Sequence, residues 1–329
     1  MLFREYMTQW LYGENGYYGH YRPIGKKGDF YTAVSTSKFF GGAIAKHILA
    51  RIDEGFLASD SLICEIGAHH GYLLADSIEF LYTLRPALLQ TLRFGIIERF
   101  ESLQTQQKNY FHESFGEAIT LEHYYDLSDV KASCAFFIAN EIFDAFPCDL
   151  LYKGNIASVR EGKIVFETPS PEAVQHAQTY HKDRGEIAIG YEAFAQTMAR
   201  SVPKCEFMSF DYGELSARSD FSIRIYQEHQ VTPLFEESLK LDDVFGVSDI
   251  TYDVNFSHVK TAFESAGMVC AHFSTQLVAL IEMGILDLLS MLKENVSEEI
   301  YLQELEKVKI LISPSLMGER FKMIRFVKG

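Results

Sequence analysis

Ser61-Leu62-Ile63-Cys64-Glu65-Ile66-Gly67-Ala68-His69-His70-Gly71 is the stretch that decides the fold of this 329-residue chain. A short apolar run ends in Glu65, Gly67 follows two residues later, and Gly71 opens the next segment. Beyond it, Leu74, Ile78, Leu81 and Leu84 recur at helical spacing until Pro86 stops the pattern. A buried strand, a tight turn and a helix in this order form the first βα unit of a nucleotide-binding α/β sheet. Such a turn holds a cofactor against the unpaired N–H groups of the helix start. A dinucleotide fingerprint needs G-x-G-x-x-G, but only two glycines stand here, at 67 and 71.

Glu-x-Gly-x-x-x-Gly instead resembles the first motif of the class I S-adenosylmethionine (SAM) methyltransferases, with His69 in place of the middle glycine. The resemblance gives Glu65 the amino end of the cofactor and lets Gly67, Ala68, His69 and Gly71 approach it through the backbone. A histidine is acceptable in that turn if its φ is negative, which is the expectation here.

The second strand, Leu92 to Glu98, also ends in an acid, and Phe100, Leu103, Gln107 and Phe111 then keep helical spacing. A carboxylate at that strand end can accept hydrogen bonds from both ribose hydroxyls of a nucleoside, which makes Glu98 a ribose ligand. Ile119 to Glu122 reads as a third strand, and the apolar Cys134 to Ala139 as a central fourth one. The fourth runs into Asn140-Glu141-Ile142-Phe143-Asp144, where one helical turn would turn both carboxylates to one side. Leu150 to Tyr152 and Lys163 to Phe166 predict a hairpin, followed by two helical stretches. Later strands are expected at 205–210, 268–273 and 320–327, with a helix capped by Asn255 and a helical insertion from Leu277 to about Ile310.

The formal net charge of −15 disfavours the basic footprint of nucleic-acid binding and is compatible with a cationic acceptor. The five cysteines are scattered, without a Cys-x-x-Cys pair, which reads as reduced thiols in a cytoplasmic protein. The start, Met1 to Tyr6, lacks a secretory apolar region, and no apolar run is long enough to insert into a membrane. Residues 1–45 read as an N-terminal arm or lid carrying the aromatic, glycine-rich Gly16 to Tyr21. Residues 46–329 read as one Rossmann-like domain with insertions at about 149–200 and 277–317.

Taken along its length, the chain resembles the MidA-like SAM-dependent methyltransferases, the family that includes a mitochondrial complex I assembly-factor arginine methyltransferase. The matching stretches include Gly16-Tyr17-Tyr18, Gly28-Asp29-Phe30-Tyr31-Thr32, Glu65-Ile66-Gly67 with Gly71 and Asp76, and Ile97-Glu98. They continue through Asn140-Glu141 with Asp144, Asp211-Tyr212-Gly213, Asp249-Ile250-Thr251 and Met317 to Phe321. Arg224 to His229 departs from a more basic segment of the family. The resemblance implies a class I, Rossmann-like fold: a seven-stranded, mostly parallel sheet with helices on both faces, plus helical and hairpin insertions. It implies S-adenosyl-L-methionine as cofactor, held by Glu65, Gly67, Ala68, His69, Gly71, Glu98, Asn140, Asp29 and Thr32. It further implies methylation of an arginine on a partner protein, with Glu141 and Asp144 as catalytic carboxylates.

Rival chemistries have less support in the residues. His69 and His70 have no third ligand at a metal-binding spacing, and neither a nucleophile elbow nor a phosphate loop occurs. A nicotinamide dehydrogenase can use Glu98 but is opposed by the glycine pattern. A non-catalytic assembly protein on the same scaffold is the alternative that His69 favours. The sequence leaves the oligomeric state open.

Overall fold

The computed structural model describes residues 1–19, 32–169, 171, 174–175, 178, 183–216 and 218–329. It divides into two compact units: Tyr31–Asn140, Thr197–Asp211 and Gly267–Gly329 form one, and Met1–Phe30, Glu141–Gln196 and Tyr212–Ala266 the other.

The first unit holds the main sheet. Its strands are β1 (Leu62–Ile66), β2 (Arg93–Ile97), β3 (Leu121–Tyr124), β4 (Cys134–Asn140), β5 (Lys204–Glu214), β6 (Val269–Thr275) and β7 (Phe321–Lys328). Their order across the sheet is β6-β7-β5-β4-β1-β2-β3. β1 pairs in parallel with both β2 and β4, β2 with β3, and β4 with β5, while β6 and β7 are antiparallel. These seven strands give the expected mostly parallel order, and an eighth, the two-residue Val254–Asn255, pairs in parallel with the end of β5. Every residue of β1 is buried, as a strand covered on both faces requires. β3 begins two residues later than its apolar pattern indicates.

The helices of this unit are α1 (Phe39–Asp53), α2 (Tyr72–Leu84), α3 (Glu101–Phe115), α4 (Gln276–Glu282), α5 (Ile285–Asn295) and α6 (Glu298–Ile312). α1 runs through the arm boundary expected near residue 45. It buries Phe40, Ile44 and Ile48 in one core with Leu74, Ile78 and Leu81 of α2 and with Ile63, Phe136 and Ile138 of the sheet. Each large side chain so buried contributes about 1.5–3 kcal/mol. Gly41 brings the two helices together, since a Cβ there would lie 2.6 Å from the Asp76 Cβ. On β5 the fully buried Glu206 accepts hydrogen bonds from Arg51 Nε at 2.7 Å and Arg325 at 3.3 Å, and also pairs with His47.

The second unit starts with a helix, Phe3–Tyr12, that buries Phe3, Met7, Trp10 and Leu11. Trp10 Nε1 donates to the Ser248 carbonyl at 2.8 Å. Its larger sheet orders Lys163–Glu167, Asn155–Arg160, Cys148–Tyr152 and Arg184–Ala188, all antiparallel. The expected hairpin partners, 150–152 and 163–166, therefore do not pair, because the strand Asn155–Arg160 lies between them. Two tight turns, Lys153-Gly154 and Glu161-Gly162, make this possible, each with positive φ at both residues. A smaller antiparallel sheet orders Gln230–Pro233, Arg224–Gln227 and Asp249–Thr251. Asn255 caps the helix Phe256–Ser265 as predicted, accepting from the Ser257 and His258 amides. Tyr17 is buried, and Tyr18 donates to Asp249 Oδ1 at 2.9 Å. Among the described residues, no helix is long and apolar enough to cross a membrane.

Candidate functional site

β1 and β4 are adjacent strands whose chain connections leave in opposite directions, so the crevice at their carboxyl ends is the switch point where such sheets take a ligand. The end of β1 carries Glu65, which is 4% exposed, and its Oε2 accepts from the Leu74 amide in the first turn of α2 at 3.0 Å. Burial is the main influence on the Glu65 carboxyl and raises it to about 8; the Leu74 amide pulls the other way and Asp76 adds to the rise. Asp76 is itself raised to about 7, again chiefly by burial.

The turn is closed by the Gly71 amide, which donates to the Ala68 carbonyl at 2.7 Å. Gly67 is exposed and has φ 68°. Gly71 has φ 80°, and a Cβ on it would lie 2.9 Å from the Phe111 ring and 3.2 Å from Ile96, so a side chain is doubly disfavoured. His69 also lies in the left-handed region, at φ 48°. That corrects the expected negative φ: the turn keeps its glycine-like shape, and histidine is among the residues that tolerate it. Burial lowers the His69 ring to about 3, and the imidazole packs edge-on against His70 with centroids 4.2 Å apart.

Glu98, 7% exposed, follows β2, and its Oε1 accepts from the Phe100 amide at 3.0 Å. Its carboxyl is raised chiefly by burial, with the Phe100 amide, Gln107 and Arg99 acting in the opposite direction. Gln107 ties the turn after β1 to β3. It is fully buried on α3, donates through Nε2 to the His69 carbonyl at 2.8 Å, and its Oε1 meets His123 Nε2 at 2.9 Å. Sequence reasoning placed Gln107 only in the buried stripe of α3. A polar residue between Leu103 and Phe111 was the available signal.

Asn140 ends β4 and is half-buried. Thr32 is buried, and its hydroxyl accepts from the Ser35 amide at 3.1 Å, so it caps the short helix Ala33–Thr36. Asp29 lies outside the described residues.

Glu141 and Asp144 belong to the second unit. Glu141 has φ 54°, a rare backbone state for a residue with a side chain. Asp144 sits 3% exposed in a one-turn helix, Phe143–Ala145. Tyr191 donates to the Phe143 carbonyl at 2.7 Å, Tyr12 to the Ala145 carbonyl at 3.0 Å, and the Tyr252 amide to the Asp144 carbonyl at 3.2 Å. Burial raises the Asp144 carboxyl to about 6, against a Tyr212 hydrogen bond and the Arg224 guanidinium. Arg224 stacks 4.9 Å from the Tyr212 ring centroid and pairs with Asp253 at 2.8 Å. Tyr212 lies in the Asp211-Tyr212-Gly213 match, and Arg224 in the segment that departs from the family.

The first unit thus gathers Glu65, Gly67, Ala68, His69, Gly71 and Glu98 at neighbouring strand ends. Two buried carboxyls flanking an exposed glycine turn fit a cofactor with a cationic amino end and a ribose, and burial makes the Glu65 carboxyl sensitive to an arriving positive charge.

Comparison with known proteins agrees with this geometry. A family described as "Putative S-adenosyl-L-methionine-dependent methyltransferase" matches residues 44–274. The mitochondrial protein arginine methyltransferase NDUFAF7 of Rattus norvegicus is 24% identical over 358 residues, covering 96% of this chain and 78% of that one. Its Xenopus tropicalis counterpart is 25% identical, covering 98% of this chain and 81% of that one. A crystal structure from Burkholderia thailandensis, bound to S-adenosyl-homocysteine, shares the fold with a TM-score of 0.83 at 23% identity, covering 100% of this chain and 88% of that one. All four NDUFAF7 relatives, from rat, mouse and two Xenopus species, are named as mitochondrial. That overturns the cytoplasmic expectation. Unpaired cysteines separate reducing from oxidising compartments, not one reducing compartment from another. With its family matched over most of its length on a Rossmann-like sheet, the chain belongs to the MidA-like S-adenosyl-L-methionine-dependent methyltransferases and is an enzyme of that class with SAM as its cofactor.

Proposed function

We propose that the chain methylates an arginine side chain of a partner protein, with Glu141 and Asp144 receiving the guanidinium. In this reading Glu65, Gly67, Ala68, His69, Gly71, Glu98 and Asn140 hold the cofactor. The observation that carries it is the likeness, over 96–98% of the chain, to relatives named protein arginine methyltransferases. The surroundings of Asp144 support it, since this buried carboxyl already shares its environment with the guanidinium of Arg224.

SAM, when bound, supplies an electrophilic methyl group, and catalysis then rests mainly on positioning the acceptor nitrogen in line with it. A guanidinium stays protonated in water, with a pKa above about 12. The carboxylates hold its fork through charge-assisted hydrogen bonds, absorb its charge, and accept the proton it loses as the methyl arrives. Burial raises the Asp144 carboxyl above the ordinary carboxylate range, which makes it a better proton acceptor for that role. The net charge of −15 suits a cationic acceptor.

The test has two parts. Mass spectrometry of partners captured from the native host, with and without this protein, should show a mono- or dimethylated arginine that depends on it. Single-turnover methylation by Glu141→Gln and Asp144→Asn should then fall at least about a hundredfold, while SAM affinity stays within about threefold. Methylation confined to another residue type refutes the arginine reading. Full rates in both variants remove the carboxylates from catalysis, and a collapse of SAM affinity assigns them to the cofactor instead.

A further inference from the structure

Four aromatic side chains of the second unit meet outside its buried core. Phe221 and Phe235 have ring centroids 4.5 Å apart, Phe166 stacks on Phe235 at 6.1 Å, and Tyr152 follows Phe166 at 5.5 Å. Phe235 is still 41% exposed, and exposed rings that are grouped rather than scattered mark an interaction surface. The chain itself shows what these rings hold. The Arg184 guanidinium lies over Phe221 at 5.5 Å and over Tyr152 at 5.1 Å, and its Nε is 2.7 Å from Asp220 Oδ1. Lys153 Nζ lies 5.0 Å from the same Tyr152 centroid. Phe221 and the adjacent acid Asp220 thus hold one guanidinium between them. Phe235-Glu236-Glu237 repeats that pairing of a ring with adjacent acids, and both glutamates are exposed. Among the described residues, no cation is stacked on Phe235 and neither glutamate forms an ion pair. The patch adjoins the small sheet that carries Arg224, since the Leu234 amide donates to the Ile223 carbonyl at 3.1 Å.

We propose that Phe235, Glu236 and Glu237 form a docking surface for a basic segment of the acceptor protein. An arginine of that segment lies on the Phe235 ring, and the two glutamates meet its charge. Cation–π contact and charge-assisted hydrogen bonds combine there, and the net charge of −15 steers a basic chain toward the surface. The docked arginine is a flanking residue: the methylated one goes to the buried Asp144, and Phe235 holds another in the open. This inference rests on the acceptor being a protein, the reading proposed above.

The experiment is fluorescence anisotropy of the full chain with a short labelled peptide of alternating arginine and glycine. The same peptide with glutamine in place of arginine is the uncharged probe and should not bind. Phe235→Leu keeps the apolar contact but removes the ring face, and should weaken binding of the arginine peptide about three- to tenfold. Glu236→Gln combined with Glu237→Gln should cost about three- to fivefold and flatten the salt dependence. Glu113→Gln combined with Glu117→Gln removes the same charge from exposed positions of the first unit, and should cost less than about twofold. Tm and the Kd for SAM should stay unchanged throughout, because all of these side chains are exposed. Full affinity in Phe235→Leu overturns the proposal, as do equal losses from the two glutamate pairs or equally tight binding of the glutamine peptide. Should Phe235→Leu lower the Tm, the two glutamate pairs carry the test by the same criterion. Failure here is separable from failure of the arginine reading. Full peptide affinity in Phe235→Leu refutes the surface alone, even where the methylated residue is an arginine. Methylation confined to another residue type, with the peptide losses as expected, refutes that reading and supports the surface.

Discussion

SAM affinity should depend steeply on pH between 5.5 and 7.5, and Glu65 is the reason. Burial raises its carboxyl to about 8, so in the cofactor-free protein it is mostly neutral at pH 7. An ammonium group arriving beside it requires the charged form, so binding must expel a proton. Below the raised pKa the Kd then rises about tenfold per pH unit, or about 1.4 kcal/mol. Between pH 7.5 and 6 the expected loss is about twentyfold to thirtyfold. Above about 7.7 an α-amino group begins to lose its own proton, so the useful window lies below that. Calorimetry in buffers of different ionisation enthalpy should also show release of close to one proton at pH 6.5. Glu65→Gln should flatten the pH profile and leave affinity weakened throughout. Asp76, whose own raised carboxyl pushes Glu65 upward, gives a second control: Asp76→Asn should move the break toward lower pH. A Kd constant across the window, with no proton release, would show that Glu65 does not meet the ammonium group.

Two further outcomes follow from buried polar contacts and from backbone strain. Glu206→Gln should destabilise the protein by about 3–5 kcal/mol in urea unfolding, because it leaves Arg51, Arg325 and His47 around an uncharged group. The wild-type Glu206 carboxyl is held below its ordinary value despite burial, the largest single influence, because these three partners together outweigh it. Its contribution is therefore present above the unfolded pKa and should be lost as pH falls through the lower folded value, a loss that Glu206→Gln should not show. His69→Gly should leave stability unchanged or improve it, since relief of about 1–2 kcal/mol of left-handed strain offsets about 0.5–1 kcal/mol of added unfolded-state entropy. His69→Val should cost at least about 1 kcal/mol at the same position, and equal stability of the two variants would contradict the observed φ of 48°.

The βα unit from Leu62 to Leu84 was legible because its signals are local: an apolar run, an acid, two glycines and a helical stripe. Central parallel strands announce themselves in the same way, so β1, β2, β4 and β5 fell where their apolar runs lie. In the larger sheet of the second unit the runs at 150–152 and 163–166 were legible, but the strand between them was not. Asn155–Arg160 buries small residues, Ala157 and Ser158, that carry little strand signal. The stronger clue was its two X-Gly turns, which fix a meander whatever the strands contain. Glu65 and Glu98 stand at the strand ends that the sequence indicated. Gln107 could not be assigned a role, because its partners His69 and His123 lie far from it in sequence and meet it only through the fold.

His69 and Glu141, both in the proposed site, depart from local backbone preference. Each follows a strand of the main sheet in the chain, and each holds a left-handed backbone that glycine would adopt freely. Such conformations cost about 1–3 kcal/mol each and persist only where neighbouring contacts impose them. For His69 the imposing contact is the buried Gln107 amide on its carbonyl. For the turn that Glu141 enters, Tyr12, Tyr191 and the Tyr252 amide take three successive carbonyls, those of Ala145, Phe143 and Asp144. A glycine would make either turn cheaper, but it would also leave the turn free to adopt other shapes. A strained residue pinned by buried hydrogen bonds has one shape, and in the proposed assignments that serves methyl transfer, whose catalytic advantage comes from geometry. The histidine that looks like a defect in the glycine motif is thus consistent with an active site, since its backbone follows the path a glycine would take and its carbonyl is fixed from within the fold.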